Sequence, residues 1–428
     1  MTHTTRRDFV KYLAGTAGLG WAAYAPLSHA VKYQARVIII GGGYGGATVA
    51  KYLRLANPHI EVILIEKKKQ YISCALSNEI LTRERTMDSL TFDYDGLKSF
   101  YGVRVIHDEA TEIEPVKKQV VTRGGQTLDY DRLVVSPGVA FRWDAIEGYD
   151  QAASEMMPHA WFAGEQTLLL RRQLEAMDDG GQVFIVAPPN PYKCPPGPYE
   201  RAGLIAHHLK HHKKNKSKIL IFDAKDAFAK QALFEQAWEQ HYPGMIQWIS
   251  ASNDGKVQAV DTKKLAVVTE FDEHKGAVIN VIPPQKAGLI AEQAGLADES
   301  GWCPVNQRTF ESRIHQDIHV IGDACIAGPM PKSAYSANTQ AKVCAAAIDA
   351  LISGSPTPEP SYVNTCYSIP APGHGISVAG VYRLEGEKIV AVKGAGGVSP
   401  LDASAWERKV EAAYARSWFK NITSDIFL

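Results

Sequence analysis

Three cysteines lie in segments whose composition suits chemistry better than packing. Cys74 is in YISCALSNE, Cys194 in the loop APPNPYKCPPGPYE, and Cys366 in NTCYSI, just after the linker SGSPTPEP. A thiolate can act as nucleophile, metal ligand or redox centre, and its surroundings decide which. Cys74 has no second cysteine near it in sequence. It reads either as half of a redox pair completed by the fold or as a sulfur placed to bond a cofactor. Cys194 and Cys366 come from well-separated segments, and each is a candidate for redox chemistry. The other three cysteines read as structural. Cys303 in GWCPV and Cys325 could pair in an oxidising compartment, and Cys344 in AKVCAAAI behaves as a small hydrophobe on a helix.

The elements that position these residues are legible around them. ARVIIIGGGYGGATVAKYL begins with an apolar strand, and Gly41-x-Gly43-x-x-Gly46 follows at once. A helix comes next, then a second strand ending at Glu66. In such a unit Gly41 permits the tight turn, Gly43 lets the backbone approach a pyrophosphate, and Gly46 lets the helix pack on the strand. The helix N-terminus offers N–H groups to the phosphates, and Glu66 accepts from ribose hydroxyls. Further on, the strand His319–Ile321 ends in Gly322-Asp323, an acid placed for the ribityl chain of a flavin. The helix that begins near Lys332 can aim its positive end at the flavin ring. These pieces predict FAD, with Gly41, Gly43, Gly46, Glu66, Gly322, Asp323 and Lys332 as its binding residues. Cys74, eight residues beyond Glu66, falls where the chain would run beneath the flavin.

Between these parts lies a second βαβ frame. It comprises the strand Gly181–Ala187, the helix Arg201–His212, and the strand Ser217–Asp223, which ends in an acid. Its glycine loop is replaced by Pro188, Pro189, Pro191, Pro195, Pro196 and Pro198. Proline has no N–H to give a phosphate and fixes φ, so NAD(P)H is not the expected reductant. The expected fold is therefore α/β with two Rossmann-like domains, the FAD domain being split in sequence. The boundaries read as 31–150 and 286–355 for FAD, 151–285 for the second domain, and 356–428 for a C-terminal interface and active-site region.

The 428 residues carry balanced charge, which gives no electrostatic footprint for nucleic acid. Residues 1–30 hold Arg6 and Arg7, a modest Gly/Ala-rich apolar stretch and the small-residue end Ser28-His29-Ala30, the pattern of a twin-arginine export signal. The expected destination is the periplasm, with no stable membrane insertion. Removal of the signal leaves 43 basic and 45 acidic residues. KHHKKNKSK reads as a helix end and solvated loop. In AWERKVEAAYARSWFKNI, Trp406, Val410, Ala413 and Tyr414 fall at helical spacing, followed by Trp418 and Phe419, a candidate docking face.

YISCALSNE, CPPGPYERA, GWCPV, HVIGDACIAGPMPKSAYSAN and NTCYSI together closely resemble the flavoprotein subunit of flavocytochrome c sulfide dehydrogenase, a relative of the sulfide:quinone reductases. The likeness runs through nearly the whole chain after the signal. It implies that Cys74 holds FAD covalently through the 8α-methyl, that Cys194 and Cys366 form the active-site disulfide, and that Glu200 handles protons. It also implies sulfide as substrate and a c-type cytochrome subunit as partner in a heterodimer. Haem would lie only on that partner, since this chain has no C-x-x-C-H, and no metal is expected here. The rival expectations are a sulfide:quinone oxidoreductase and a non-catalytic electron-transfer flavoprotein with bracing disulfides.

Overall fold

The computed structural model describes residues 33–428, and the export signal expected at 1–30 lies outside the described residues. The chain begins with β1 (Ala35–Ile40), α1 (Tyr44–Ala56), β2 (Ile60–Ile65), β3 (Arg104–Ile106) and β4 (Arg132–Val135). It then builds β5 (Gln182–Ala187), α2 (Gly197–His211), β6 (Lys218–Asp223), α3 (Gln231–His241), β7 (Ile246–Ile249) and β8 (Val278–Val281). Next come β9 (Ile318–Val320) and α4 (Ala334–Ser353). The chain ends with β10 (Ser361–Ala371), β11 (His374–Glu385), β12 (Lys388–Val398) and α5 (Ala405–Phe427).

Two parallel sheets result, ordered β9-β4-β1-β2-β3 and β7-β6-β5-β8. The first takes its outer strand, β9, from beyond the whole second sheet, so the first unit is split in sequence. Helices cover parallel sheets on both faces, which is why β1, β2 and β5 are nearly continuous apolar runs. This is the expected α/β architecture with two Rossmann-like units. α4 packs against α1, its alanines and Cys344 allowing close approach.

The second βαβ frame is intact, but protein fills the nucleotide end. Tyr199 stacks on Phe228 with ring centroids 3.6 Å apart. The buried Asp223 carboxylate accepts from Tyr199 Oη at 2.5 Å, Trp248 Nε1 at 2.9 Å and Lys225 Nζ at 2.5 Å. Lys225 Nζ also donates to Pro188 O at 2.7 Å, tying the proline loop to the end of β6. An acid that could have served a ribose is thus committed to internal bonds.

The C-terminal region is an antiparallel sheet with β11 in the middle, followed by α5. A capping box starts α5. Ser404 Oγ accepts from Glu407 N at 3.3 Å, and Ser404 N donates to Glu407 Oε2 at 2.6 Å. Trp406, Ala413 and Tyr414 are exposed and Val410 is half-buried, but Phe419 is not on that face. It packs inward with Ile80 and Leu90, while Phe427 stacks on Tyr71 and Phe92 at 5.6 and 5.1 Å. Burial of these rings fastens the C-terminal region to the first unit.

α2 also lies directly on β10. A Cβ on Gly203 would stand 2.1 Å from Pro370 O. Gly203→Ala is therefore expected to push α2 away from β10 and cost about 1–3 kcal/mol, as overpacking does. Denaturant unfolding of the flavin-loaded protein measures this, and a variant as stable as wild type would contradict the close packing.

Candidate active site

A cavity of about 590 Å³ opens where the first unit, the proline loop and the C-terminal sheet meet. One end is the dinucleotide cradle. β1 runs into Gly41 at φ +95, where a Cβ would lie 2.3 Å from Ser136 O. A Cβ on Gly46 would lie 1.9 Å from Gly41 O, so the first turn of α1 can approach the strand only with glycine there. Gly43 lines the cavity. Glu66, just beyond β2, is held in place by two backbone donors, with Oε2 accepting from Gly42 N at 2.8 Å and Oε1 from Lys68 N at 2.9 Å.

Gly322 (φ +72) and Asp323 follow β9 and line the same cavity. Asp323 Oδ1 is buried and has no hydrogen-bond partner. Burial raises its pKa, opposed by Lys193 and Lys332. A buried acceptor is costly without a donor, and a polyol hydroxyl of a flavin nucleotide is a fitting one. The cradle, Glu66 and Asp323 thus suit FAD. Ser333 caps α4, accepting from Ser336 N at 3.0 Å, and the first turn of that helix borders the cavity.

The expectation for Lys332 needs correction. Its Nζ donates to Asp323 O at 2.6 Å and Cys325 O at 3.1 Å and lies 3.7 Å from the centroid of the Trp302 ring. The ammonium is held by these carbonyls and does not line the cavity. Its backbone matters more, because Lys332 O accepts from Cys194 N at 2.8 Å and joins the proline loop to the first unit.

The cysteines occupy the other end. Cys194 has φ +56, unusual for a residue with a side chain, and its carbonyl accepts from Gly197 N at 2.9 Å as α2 begins. A Cβ on Gly197 would come 3.2 Å from Cys194 Sγ and 2.6 Å from the Trp161 ring. Cys366 reaches the cavity from the middle of β10, opposite Val378. Burial, then Cys366 and Glu200, pushes the Cys194 thiol pKa up. Burial also raises that of Cys366, but Lys230 pulls against it. Lys230 Nζ donates to Cys366 O at 3.0 Å and Ser368 Oγ at 2.8 Å.

Glu200 sits in the first turn of α2, facing the cavity and not the surface. Oε2 accepts from Asn78 Nδ2 at 2.7 Å and Oε1 from Ile369 N at 2.7 Å. Burial raises its pKa against the pull of those two bonds and of Lys230. All six cysteines are free thiols in the structure, so Cys194 and Cys366 face one cavity as a dithiol. Cys303 and Cys325 stand opposite each other on two short parallel strands, unbonded. Cys74 also lines the cavity, its Sγ donating to Trp161 O at 3.5 Å.

Three polar side chains at this end were not anticipated. Asn78 bonds Glu200, Lys230 flanks Cys366, and Lys193 contacts Cys74 Sγ at 3.3 Å. Asn78 and Lys193 lie inside the very motifs that carry Cys74 and Cys194, which was the available signal. Lys230 is remote in sequence and gave none.

Three stretches of the chain match known protein families. Residues 167–283 match the family described as the sulfide dehydrogenase (flavocytochrome c) flavoprotein chain, central. Residues 358–427 match the flavocytochrome c sulphide dehydrogenase flavin-binding family, and residues 35–167 match pyridine nucleotide-disulphide oxidoreductase. The sulfide dehydrogenase (flavocytochrome c) flavoprotein chain of Chlorobaculum thiosulfatiphilum is 49% identical over 45 residues, covering 10% of this chain and 94% of that sequence. The mitochondrial sulfide:quinone oxidoreductase of Dictyostelium discoideum is 22% identical over 329 residues, 73% of this chain and 70% of that one. The sulfide:quinone oxidoreductase structure from Aquifex aeolicus superposes with a TM-score of 0.71 at 18% identity, covering 92% of each chain, which is a likeness of fold. Together with the flavin cradle and the cysteine-lined cavity, these matches make the chain a flavoprotein oxidoreductase acting on sulfide, and it belongs to the family of flavocytochrome c sulfide dehydrogenase flavoprotein chains.

Proposed function

We propose that this chain is an exported, periplasmic sulfide dehydrogenase that oxidises sulfide through a Cys194–Cys366 disulfide and FAD and delivers electrons to a c-type cytochrome subunit. The observation that carries the reading is the presence of both thiols and Glu200 on the cavity that also contains the dinucleotide cradle. In the oxidised pair, hydrosulfide adds to one sulfur and the other leaves as a thiolate. The Lys230 ammonium lies beside Cys366, which favours Cys366 as the departing thiolate and Cys194 as the carrier of the new persulfide. Glu200 gives its proton to the departing sulfur and then takes the persulfide proton. FAD held by Gly41, Gly43, Gly46, Glu66, Gly322 and Asp323 supplies a two-electron acceptor that can release electrons singly, and a thioether to Cys74 would retain it after export.

Two features support a cytochrome as acceptor. The family matched by residues 358–427 is that of the flavocytochrome, and the exposed Trp406 and Tyr414 (71% and 57% accessible) offer a docking face on the helix whose Trp418 lines the cavity. A second reading, with quinone as acceptor, is favoured by the relatives named as quinone enzymes, which span 73% of this chain. Among the described residues no helix is long and apolar enough to cross a membrane. Purification of the native protein decides between them. Co-purification of a haem polypeptide that sulfide reduces through the flavin is expected. A haem-free preparation that reduces a quinone analogue would establish the quinone reading.

Cys194→Ser and Cys366→Ser are each expected to keep bound flavin but slow its reduction by sulfide on the order of 10³-fold or more. Stopped-flow bleaching of the flavin band measures this, and unchanged bleaching would reduce the cysteines to a bracing role. Burial raises the Glu200 pKa, so its proton persists above the ordinary carboxylate range and is lost as pH climbs through the raised value. The wild-type reduction rate should fall along that limb. Glu200→Gln should be slower by roughly 10²–10⁴ and lack the limb, which pH-resolved single-turnover kinetics would reveal.

A further inference from the structure

Lys193 precedes Cys194 in sequence, but its side chain serves the other sulfur in the cavity. Its Nζ donates to Cys74 Sγ at 3.3 Å and to Trp161 O at 3.1 Å, and lies 4.7 Å from the centroid of the Phe162 ring. Its backbone N donates to Gln285 Oε1 at 2.9 Å. Among the described residues no carboxylate lies within ion-pair distance of this ammonium. Cys74 Sγ is thus the one ionisable group that receives its hydrogen bond. Asp323 lies within the electrostatic reach of Lys193, but the Cys74 sulfur is what the ammonium touches, so a thiolate formed there would be held by a charge-assisted bond.

The carbonyl shared by both groups is itself held in place. Arg201 donates to His159 O at 3.1 Å and Ala160 O at 2.6 Å, and Asn280 Nδ2 donates to Pro158 O at 2.6 Å and His159 O at 2.8 Å. Segment 158–161 is therefore fixed, and Trp161 O orients both the Cys74 thiol and the Lys193 ammonium. Cys74 and Lys193 both line the flavin cavity.

We propose that Lys193 promotes the covalent attachment of flavin to Cys74, its ammonium holding the charge that develops on the sulfur as the thiol proton leaves. The proposal rests on the reading of Cys74 as the flavin-bearing cysteine. Attachment breaks the thiol S–H bond and one 8α-methyl C–H bond, both hydrogens leaving as protons to solvent, and forms one C–S bond. The two electrons this leaves on the flavin pass one at a time to two equivalents of a one-electron acceptor of the cytochrome type, which restores the oxidised state. Lys193 contributes charge and not proton acceptance, so arginine should replace it in part and an isosteric neutral side chain should not.

The test compares wild type with Lys193→Met, Lys193→Gln and Lys193→Arg, each full chain produced under riboflavin limitation so that it starts without attached flavin. Each protein is precipitated in acid after timed incubation with FAD and a one-electron acceptor, and flavin in the pellet is set against flavin in the supernatant. Wild type should retain its flavin in the pellet. The Met and Gln variants should bind FAD natively, with near-native visible spectra, yet attach it about tenfold more slowly or worse, the scale of one lost charge-assisted bond. The Arg variant should recover part of the rate. Attachment at the wild-type rate in either neutral variant overturns the role of Lys193 while leaving the covalent reading intact, and an Arg variant as slow as Met overturns a role through charge. Release of FAD from acid-treated wild type overturns the covalent reading itself and the role of Lys193 with it.

Discussion

The buried guanidinium of Arg201 is the interaction on which the site depends. A cation in an apolar interior is tolerated only when its donors are met, and here the partners come from three separate parts of the chain. Arg201 Nε donates to Asn78, from the segment after Cys74, while its other nitrogens reach the carbonyls of His159 and Ala160 and the Asn280 side chain from β8. It also lies 5.2 Å from the centroid of the Trp161 ring. Burial lowers its pKa to about 10, which leaves it charged at neutral pH. Its neighbour Glu200 extends the same network to Asn78 and to the β10 backbone. Two consecutive residues at the start of α2 therefore connect the Cys74 segment, the second sheet and the Cys366 strand.

The proline loop makes this possible. A glycine-rich phosphate loop would expose N–H groups at the start of α2. In this chain Cys194 N is committed to Lys332 O, Lys225 secures Pro188 O, and Asp223 is enclosed by Tyr199, Trp248 and Lys225. A fold that commonly accepts a second nucleotide at this position instead presents a thiol held at φ +56. Around it the cavity is electrostatically mixed. Lys193 and Lys230 flank Cys74 and Cys366, and Glu200 and Asp323 have raised pKa values. Such an interior favours a small anion and lets a proton move over a short distance.

Much of this was legible because it depends on local rules. Strand, glycines, helix and acid recur at spacings set by backbone geometry, so Gly41 through Glu66 announced a dinucleotide unit, and prolines in the corresponding loop announced its alteration. The cysteines stood out as chemical groups in unusual segments. The helix start expected near Lys332 does border the cavity, but the Lys332 side chain turns away from it, because the carbonyls of Asp323 and Cys325 claim its ammonium and sequence does not say which way a side chain turns. Phe419 was grouped with an outer helical face, although α5 buries it against Ile80 and Leu90.

By itself, then, the amino-acid order determined the two βαβ frames, the loss of the second phosphate loop and the reactive residue types, since each follows from short-range periodicity and backbone chemistry. Only the tertiary structure decided that Glu200 is an enclosed carboxyl group on the cavity, that Lys230 attends Cys366 and that Lys193 attends Cys74. Those outcomes arise from contacts across long sequence separations, where burial removes water and one carbonyl or ammonium a few ångströms away sets the behaviour of a sulfur or a carboxyl group.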